Sequence, residues 1–270
     1  MGKDIFHLDF KLVISVTNIA FIISFQAEAQ SRLAVSNGIT ELDRISIHSP
    51  PELIKGSTDI VSYFYEPFPI TPGKSILQLG GSFTLLPLPV AENEYPAPAF
   101  DVQYKRGLYK NFILAASLST NYFTNLLHAG IQWNFNINNL SIGIANDVGG
   151  FFGFINIEGQ FNENKAMAFY DLPIFRIGYR FDKFSISMSW AASYIFVSHN
   201  DVSGLIAEGP QNKINDIYCT IAIEQPFLKD NLLSVGFSLN YSRSPYQSWM
   251  LYNTLDEYLY LPEFFFAIQL

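Results

Sequence analysis

His199 and Ser203 come nearest, in this sequence, to the minimum for nucleophilic acyl chemistry: a base within reach of the hydroxyl it deprotonates. They sit in Ser198-His199-Asn200-Asp201-Val202-Ser203, with Glu208 downstream as a carboxylate to orient the imidazole. Asn200-Asp201 is a turn signal, so the stretch is expected to be an exposed polar loop, and no catalytic residue is assigned. No His, Cys, Asp and Glu set has the spacing of a metal site. Gly149-Gly150 with Gly153 lacks the strand-to-helix setting of a phosphate loop. No cofactor is expected. Cys219 is the single cysteine, which excludes an intramolecular disulfide, and it falls on an outward strand position suited to packing.

A second set of polar residues is more informative because of its parity. Asp101, Lys105, His128, Gln132, Arg176, Arg180 and Glu224 all lie on the polar side of stretches with a strict period of two. The clearest such stretch runs from Pro173 to Tyr194. Phe175, Ile177, Tyr179 and Phe181 alternate with Arg176, Gly178 and Arg180. After an Asp182-Lys183 turn, Phe184, Ile186, Met188 and Trp190 alternate with small polar residues. Period two places one set on each face of a strand. A soluble sandwich would bury the apolar face, but the chain is 15% charged and 16% aromatic, against about 25% charged for a typical soluble domain. No apolar run reaches the roughly 18–20 residues of a membrane-spanning helix. A closed barrel is the other way to satisfy every backbone polar group in lipid. The composition therefore predicts an all-β, antiparallel, up-and-down transmembrane barrel with its apolar face outward. The net charge of -8, without a basic stripe, argues against nucleic acid as a partner.

The alternation recurs in ten stretches, at 75–85, 100–105, 112–118, 127–135, 140–145, 175–181, 184–191, 217–224, 233–241 and 264–270. Twelve strands result instead if 149–168 forms its own hairpin. Connections near 107–110, 136–139, 182–183 and 226–230 are short. Those at 87–98, 149–168, 197–213 and 243–257 are long, and 121–125 is intermediate. Short periplasmic turns and longer outer loops are the asymmetry of outer-membrane barrels. Aromatic residues such as Tyr179, Phe181 and Phe184 near the short turns, and Tyr194 and Tyr241 toward the loops, suit interfacial girdles.

Upstream, residues 1–29 read as a secretory signal peptide: Lys3 and Lys11, an apolar Leu12–Phe25 core, and an Ala27-Glu28-Ala29 site cleaved between Ala29 and Gln30. Residues 30–73 have no sustained period. They are read as an N-terminal extension on the periplasmic side or a plug inside the barrel, which itself occupies 74–270. In a barrel of this size side chains fill the interior. Buried charges need partners, so Arg176 and Arg180 are expected to pair with Asp101 or Glu224. The alternative is a narrow polar path or ligand site in which the arginines attract an anion. His128 is expected to have its hydrogen bonds satisfied in the lumen rather than to ligate a metal.

The leader, the alternating strands and the terminal strand PEFFFAIQL resemble the small outer-membrane β-barrel proteins of Gram-negative bacteria over roughly residues 75–270. The resemblance implies outer-membrane localisation, lipid neighbours and recognition by the barrel-assembly machinery. In that class the last strand usually ends in an aromatic residue; here it ends in Leu270, with Phe264 and Phe266 upstream. Lipid-modifying enzymes of the class pair a histidine with a serine two residues later, a spacing that His199 and Ser203 lack. A non-enzymatic structural or surface-interaction role is expected first, a narrow channel for small polar or anionic solutes second, and a lipid-modifying hydrolase third.

Overall fold

Residues that alternate in polarity form strands because a pleated backbone sends successive side chains to opposite faces. In the computed structural model this gives β1 (Ser75–Leu86), β2 (Tyr95–Gly107), β3 (Phe112–Thr120), β4 (Thr124–Ile137), β5 (Leu140–Ile157), β6 (Phe161–Arg180), β7 (Ser185–Val202), β8 (Leu205–Ala207), β9 (Lys213–Phe227), β10 (Asn231–Ser242) and β11 (Leu259–Gln269). The structure describes residues 62–90, 95–157, 161–202, 204–207, 211–227, 231–243 and 257–270, all within the unit Asp59–Leu270. The leader, its Ala29-Gln30 cleavage site and residues 30–61 of the extension lie outside the described residues.

Ten strands pair antiparallel in chain order, and β1 closes on β11 with Gln78 opposite Gln269 and Phe83 opposite Phe264. β8 folds back on the end of β7, with Asn200 opposite Ala207, and takes no place in the wall. The product is a closed ten-stranded barrel. Its polarity is inverted relative to a soluble protein. Ile131, Phe175, Trp190, Val235 and Phe264 are exposed, whereas Gln78, Gln132, Ser141, Glu224 and Ser234 are fully buried. That distribution is the one a bilayer demands, with apolar side chains in lipid and polar ones in the lumen. Phe181 stacks on Phe184 at 4.5 Å beside the short β6–β7 turn, and Tyr241 packs on Tyr258 and Tyr260 at the opposite end. These are aromatic girdles at the two interfaces.

Three regions differ from the sequence reading. Residues 95–98, expected in a connection, belong to β2, with Pro96 opposite Leu85 and Pro98 opposite Phe83 of β1. Residues 149–168 are not a loop: β5 runs to Ile157 and β6 starts at Phe161, paired through Phe152–Met167 and Gly153–Ala166. The stretch is expected to be a long connection, yet Gly149 and Gly153 are buried inward positions of an unbroken alternation. The extension lengthens two existing strands and adds none, so the count is ten. Likewise β7 continues to Val202, so His199 lies on a strand, facing outward opposite Met167. β5, β6 and β7 hold 18, 20 and 18 residues. About 9–11 residues suffice to cross a bilayer, so this side of the wall rises well beyond it, away from the short turns.

Replacing Ile131, outward and mid-strand on β4, with arginine places a charge near the lipid midplane. The expected loss is about 2–4 kcal/mol of stability, read from urea-dependent unfolding in phospholipid vesicles. An unchanged midpoint would mean that this face does not meet lipid.

Candidate functional site

The lumen is organised around a short segment that precedes β1. Residues 62–70 lie across the mouth on the short-turn side, reached by side chains near the ends of β2, β5, β6, β9 and β11. Glu224 is the anchor. Its carboxylate accepts the backbone amides of Phe64 at 2.7 Å, Tyr65 at 2.8 Å and Glu66 at 3.0 Å. An irregular segment inside a barrel has no ladder to pair with, and buried amides left without acceptors are costly. One carboxylate answers three of them through charge-assisted bonds. Lys105 Nζ donates to the Phe64 carbonyl at 2.6 Å and lies over the Phe64 ring. Gln269 donates to the Ser62 carbonyl and Gln103 to the Tyr65 hydroxyl.

Arg180 makes the second anchor. Its Nε and Nη2 both donate to Glu66 Oε2, at 3.0 and 2.7 Å, while its guanidinium lies over the rings of Tyr63 and Phe68 at 4.9 and 4.3 Å. Glu66 is fully buried, and Ser141 donates to its other oxygen. A side chain at position 178 would meet Pro67 Cδ at 2.9 Å and Glu66 Cγ at 3.0 Å, so only glycine admits the segment there. Phe64, Ile70, Ile76 and Ile113 form a small apolar core beneath it.

Every residue of the polar set is thereby placed. Lys105, Arg180 and Glu224 hold the segment. Arg176 Nη1 donates to Gln132 Oε1 at 2.8 Å, Gln132 donates to Asn134, and Asn134 donates to the Phe68 carbonyl, a relay that ends on the same segment. Asp101 sits opposite Ser119 on the inner wall. His128 lies between Ser117 and Asp147, with Nε2 2.5 Å from Ser117 Oγ and Nδ1 2.8 Å from Asp147 Oδ2.

The expected pairing of the arginines with Asp101 or Glu224 is corrected. Arg180 takes Glu66, Arg176 takes Gln132, and Glu224 takes backbone amides. The reason is spatial: Arg180 and Glu224 share a register row, but Ser185 of β7 stands between them, and the segment enters the gap. Of the His199 grouping, Ser203 and Glu208 lie outside the described residues. Cys219 faces outward in the row of Trp190 and Leu239.

Beyond the segment lies a cavity of about 230 Å³, floored by Phe64 and Tyr65. Its lining carries Asp101, Lys105, His128, Asp147 and Arg176, with Leu126 beside His128 on β4 and Leu172 and Ile174 beside Arg176 on β6. These three apolar residues pack in an inner cluster with Tyr170 and Ile195. Sequence reasoning missed Glu66, Ser117 and Asp147. Parity alone marks Ser117 and Asp147 as inward once β3 and β5 are counted through; nothing local marks Glu66.

No family model matches the sequence, and no curated protein is similar to it. Solved structures with a related arrangement include the KdgM porin in complex with disordered oligogalacturonate, at 10% identity, 73% of this chain and 98% of that chain, with a TM-score of 0.35. The translocator domain of the autotransporter NalP from Neisseria meningitidis matches at 7% identity, 74% and 88% coverage and a TM-score of 0.36. Ail, the attachment invasion locus protein of Yersinia pestis, matches at 10% identity, 74% and 100% coverage and 0.25. The barrel assignment stands on the strand pairing and the inverted polarity, independently of these likenesses.

Glu224→Ala leaves three buried amides without an acceptor, at about 1–3 kcal/mol for each group. The segment is expected to leave the lumen while the wall stays closed. In detergent, added protease should then cut within 62–73, with the heat-modifiable barrel band retained; wild type should resist.

Proposed function

We propose that this outer-membrane-type barrel works as a plugged surface protein, structural or ligand-binding, rather than as an open channel. The observation that carries this reading is the closure of the short-turn mouth by residues 62–70, with Glu224 on their amides and Arg180 on Glu66. In an open channel the charges lining the lumen would face water and solute. Here Lys105, Arg180 and Glu224 are committed to one stretch of backbone and its carboxylate. The short-turn side of such barrels is periplasmic, so the plug sits at the inner mouth, and the tall β5–β7 wall with its exposed Phe152, Phe154 and Phe169 stands at the outer surface. An aromatic wall above the membrane offers area to a partner or to the outer leaflet.

A second reading, a narrow path for small polar or anionic solutes, is favoured by Arg176 and Lys105 in the wall of the cavity. In that reading the plug is a gate. The two are separated by conductance in planar bilayers. Wild type is expected to give no resolvable steps, and the double variant Arg180→Ala with Glu224→Ala is expected to give discrete ones. Steady conductance from wild type would replace the first reading with the second.

A further inference from the structure

We propose that Ser117, His128 and Asp147 form an acyl-hydrolase site in the lumen, with Ser117 as nucleophile and the carboxylic ester of a short acyl chain as substrate. This goes beyond a surface role, departs from the expectation of a non-enzymatic barrel, and does not depend on whether the barrel conducts.

The hydrogen bonds run in one direction. Asp147 Oδ2, a carboxylate oxygen, accepts from His128 Nδ1–H at 2.8 Å. That tautomer leaves Nε2 with its lone pair toward Ser117 Oγ–H at 2.5 Å. A serine hydroxyl against Nε2, with a carboxylate fixing Nδ1, is the nucleophile–base–orienter arrangement that recurs on unrelated folds and is recognised by geometry rather than by sequence position. Burial grades the right way. The His128 side chain is 21% exposed and faces the cavity, while that of Asp147 is 3% exposed.

The wall is shaped to hold these groups. They stand on three adjacent strands, β3, β4 and β5, and strands hold a site more rigidly than loops. Ser117 is directly opposite His128, and Asp147 is opposite Gly130, one inward step along β4. A side chain at position 130 would strike the Asn146 carbonyl and Asp147 Oδ1, so glycine there is the condition for the carboxylate to lie beside the imidazole. At Gly149, opposite His128, a Cβ would fall 2.5 Å from the Tyr170 hydroxyl. Tyr170 therefore packs over that glycine, and its hydroxyl has no partner. This leaves a buried donor in the same cavity for the oxyanion of an acyl intermediate. Asp147 Oδ1 is also without a partner. Leu126, Leu172 and Ile174 give the lining beside these groups apolar surface for the acyl chain, and about 230 Å³ limits it to a short one.

The chemistry balances with water as the only co-reactant. Ser117 Oγ bonds to the ester carbonyl carbon as its proton passes to His128 Nε2. The carbon–oxygen bond to the leaving alcohol breaks as Nε2 returns that proton to the alcohol oxygen. Water then adds to the acyl carbon, giving a proton to Nε2, and Ser117 Oγ departs with it. One ester and one water become one acid and one alcohol.

The test uses the full chain refolded in detergent, with a fluorophosphonate probe and p-nitrophenyl butyrate. The expected result is a covalent adduct on Ser117 by mass spectrometry, absent in Ser117→Ala, with loss of ester turnover. His128→Ala should cut labelling by about 10²–10⁴-fold with the heat-modifiable band intact. Added imidazole should restore part of it, which a purely structural role for His128 would not produce. Asp147→Asn should lower labelling and leave that band in place. Folded wild type that neither labels at Ser117 nor turns over ester overturns the proposal, whatever the variants do. Turnover undiminished in Ser117→Ala overturns it as well.

Discussion

Closure of the backbone ladder is the constraint from which the rest of this molecule follows. A strand in hydrocarbon cannot leave an edge unpaired, because no water is there to take its amides and carbonyls. Pairing β1 with β11 removes the last edge. Once the ladder is closed, each residue has one of two addresses, lipid or lumen, and its parity within the strand decides which. The outward rows are then free to be aliphatic and aromatic, and all remaining polarity is gathered inside.

Gathering polarity inside raises a second requirement, since buried polar groups without partners oppose folding. The chain meets it with a segment from outside the wall. Glu224 and Arg180 would face each other across Ser185 as opposite charges too far apart to pair. Residues 64–66 fill that interval by offering amides to one and a carboxylate to the other. The plug therefore completes the hydrogen bonding of the wall as much as the wall holds the plug. The completion is not total: buried polar atoms such as Asp147 Oδ1, the Tyr170 hydroxyl and Ser185 Oγ have no hydrogen-bond partner.

The barrel and its strand count were legible because lipid imposes a pattern no other environment rewards. Phe175 to Phe181 and Phe184 to Trp190 carry that pattern without exception. Three things were hidden. Glu66 lies in a stretch without period, and its partner Arg180 is 114 residues away, so no local signal reports it. The meeting of Ser117, His128 and Asp147 depends on register, which the turns at 121–123 and 138–139 determine and which polarity alone does not show. Gly149 and Gly153 read as loop because glycine usually marks flexibility. In a closed wall an inward glycine instead makes space, here for the Tyr170 ring.

The position of the plug in the chain also has a kinetic meaning. Phe64 lies 160 residues upstream of Glu224, and β1 must find β11 at the other end of the barrel sequence. Contacts of such sequence separation form late, because the entropy of closing a long loop has to be met before they are rewarded. Until β9 is in register there is no carboxylate to receive the three amides, and until β1 meets β11 there is no enclosed lumen to hold them. Seating the plug thus depends on pairings made far along the chain, and the seam that encloses it joins the first strand to the last.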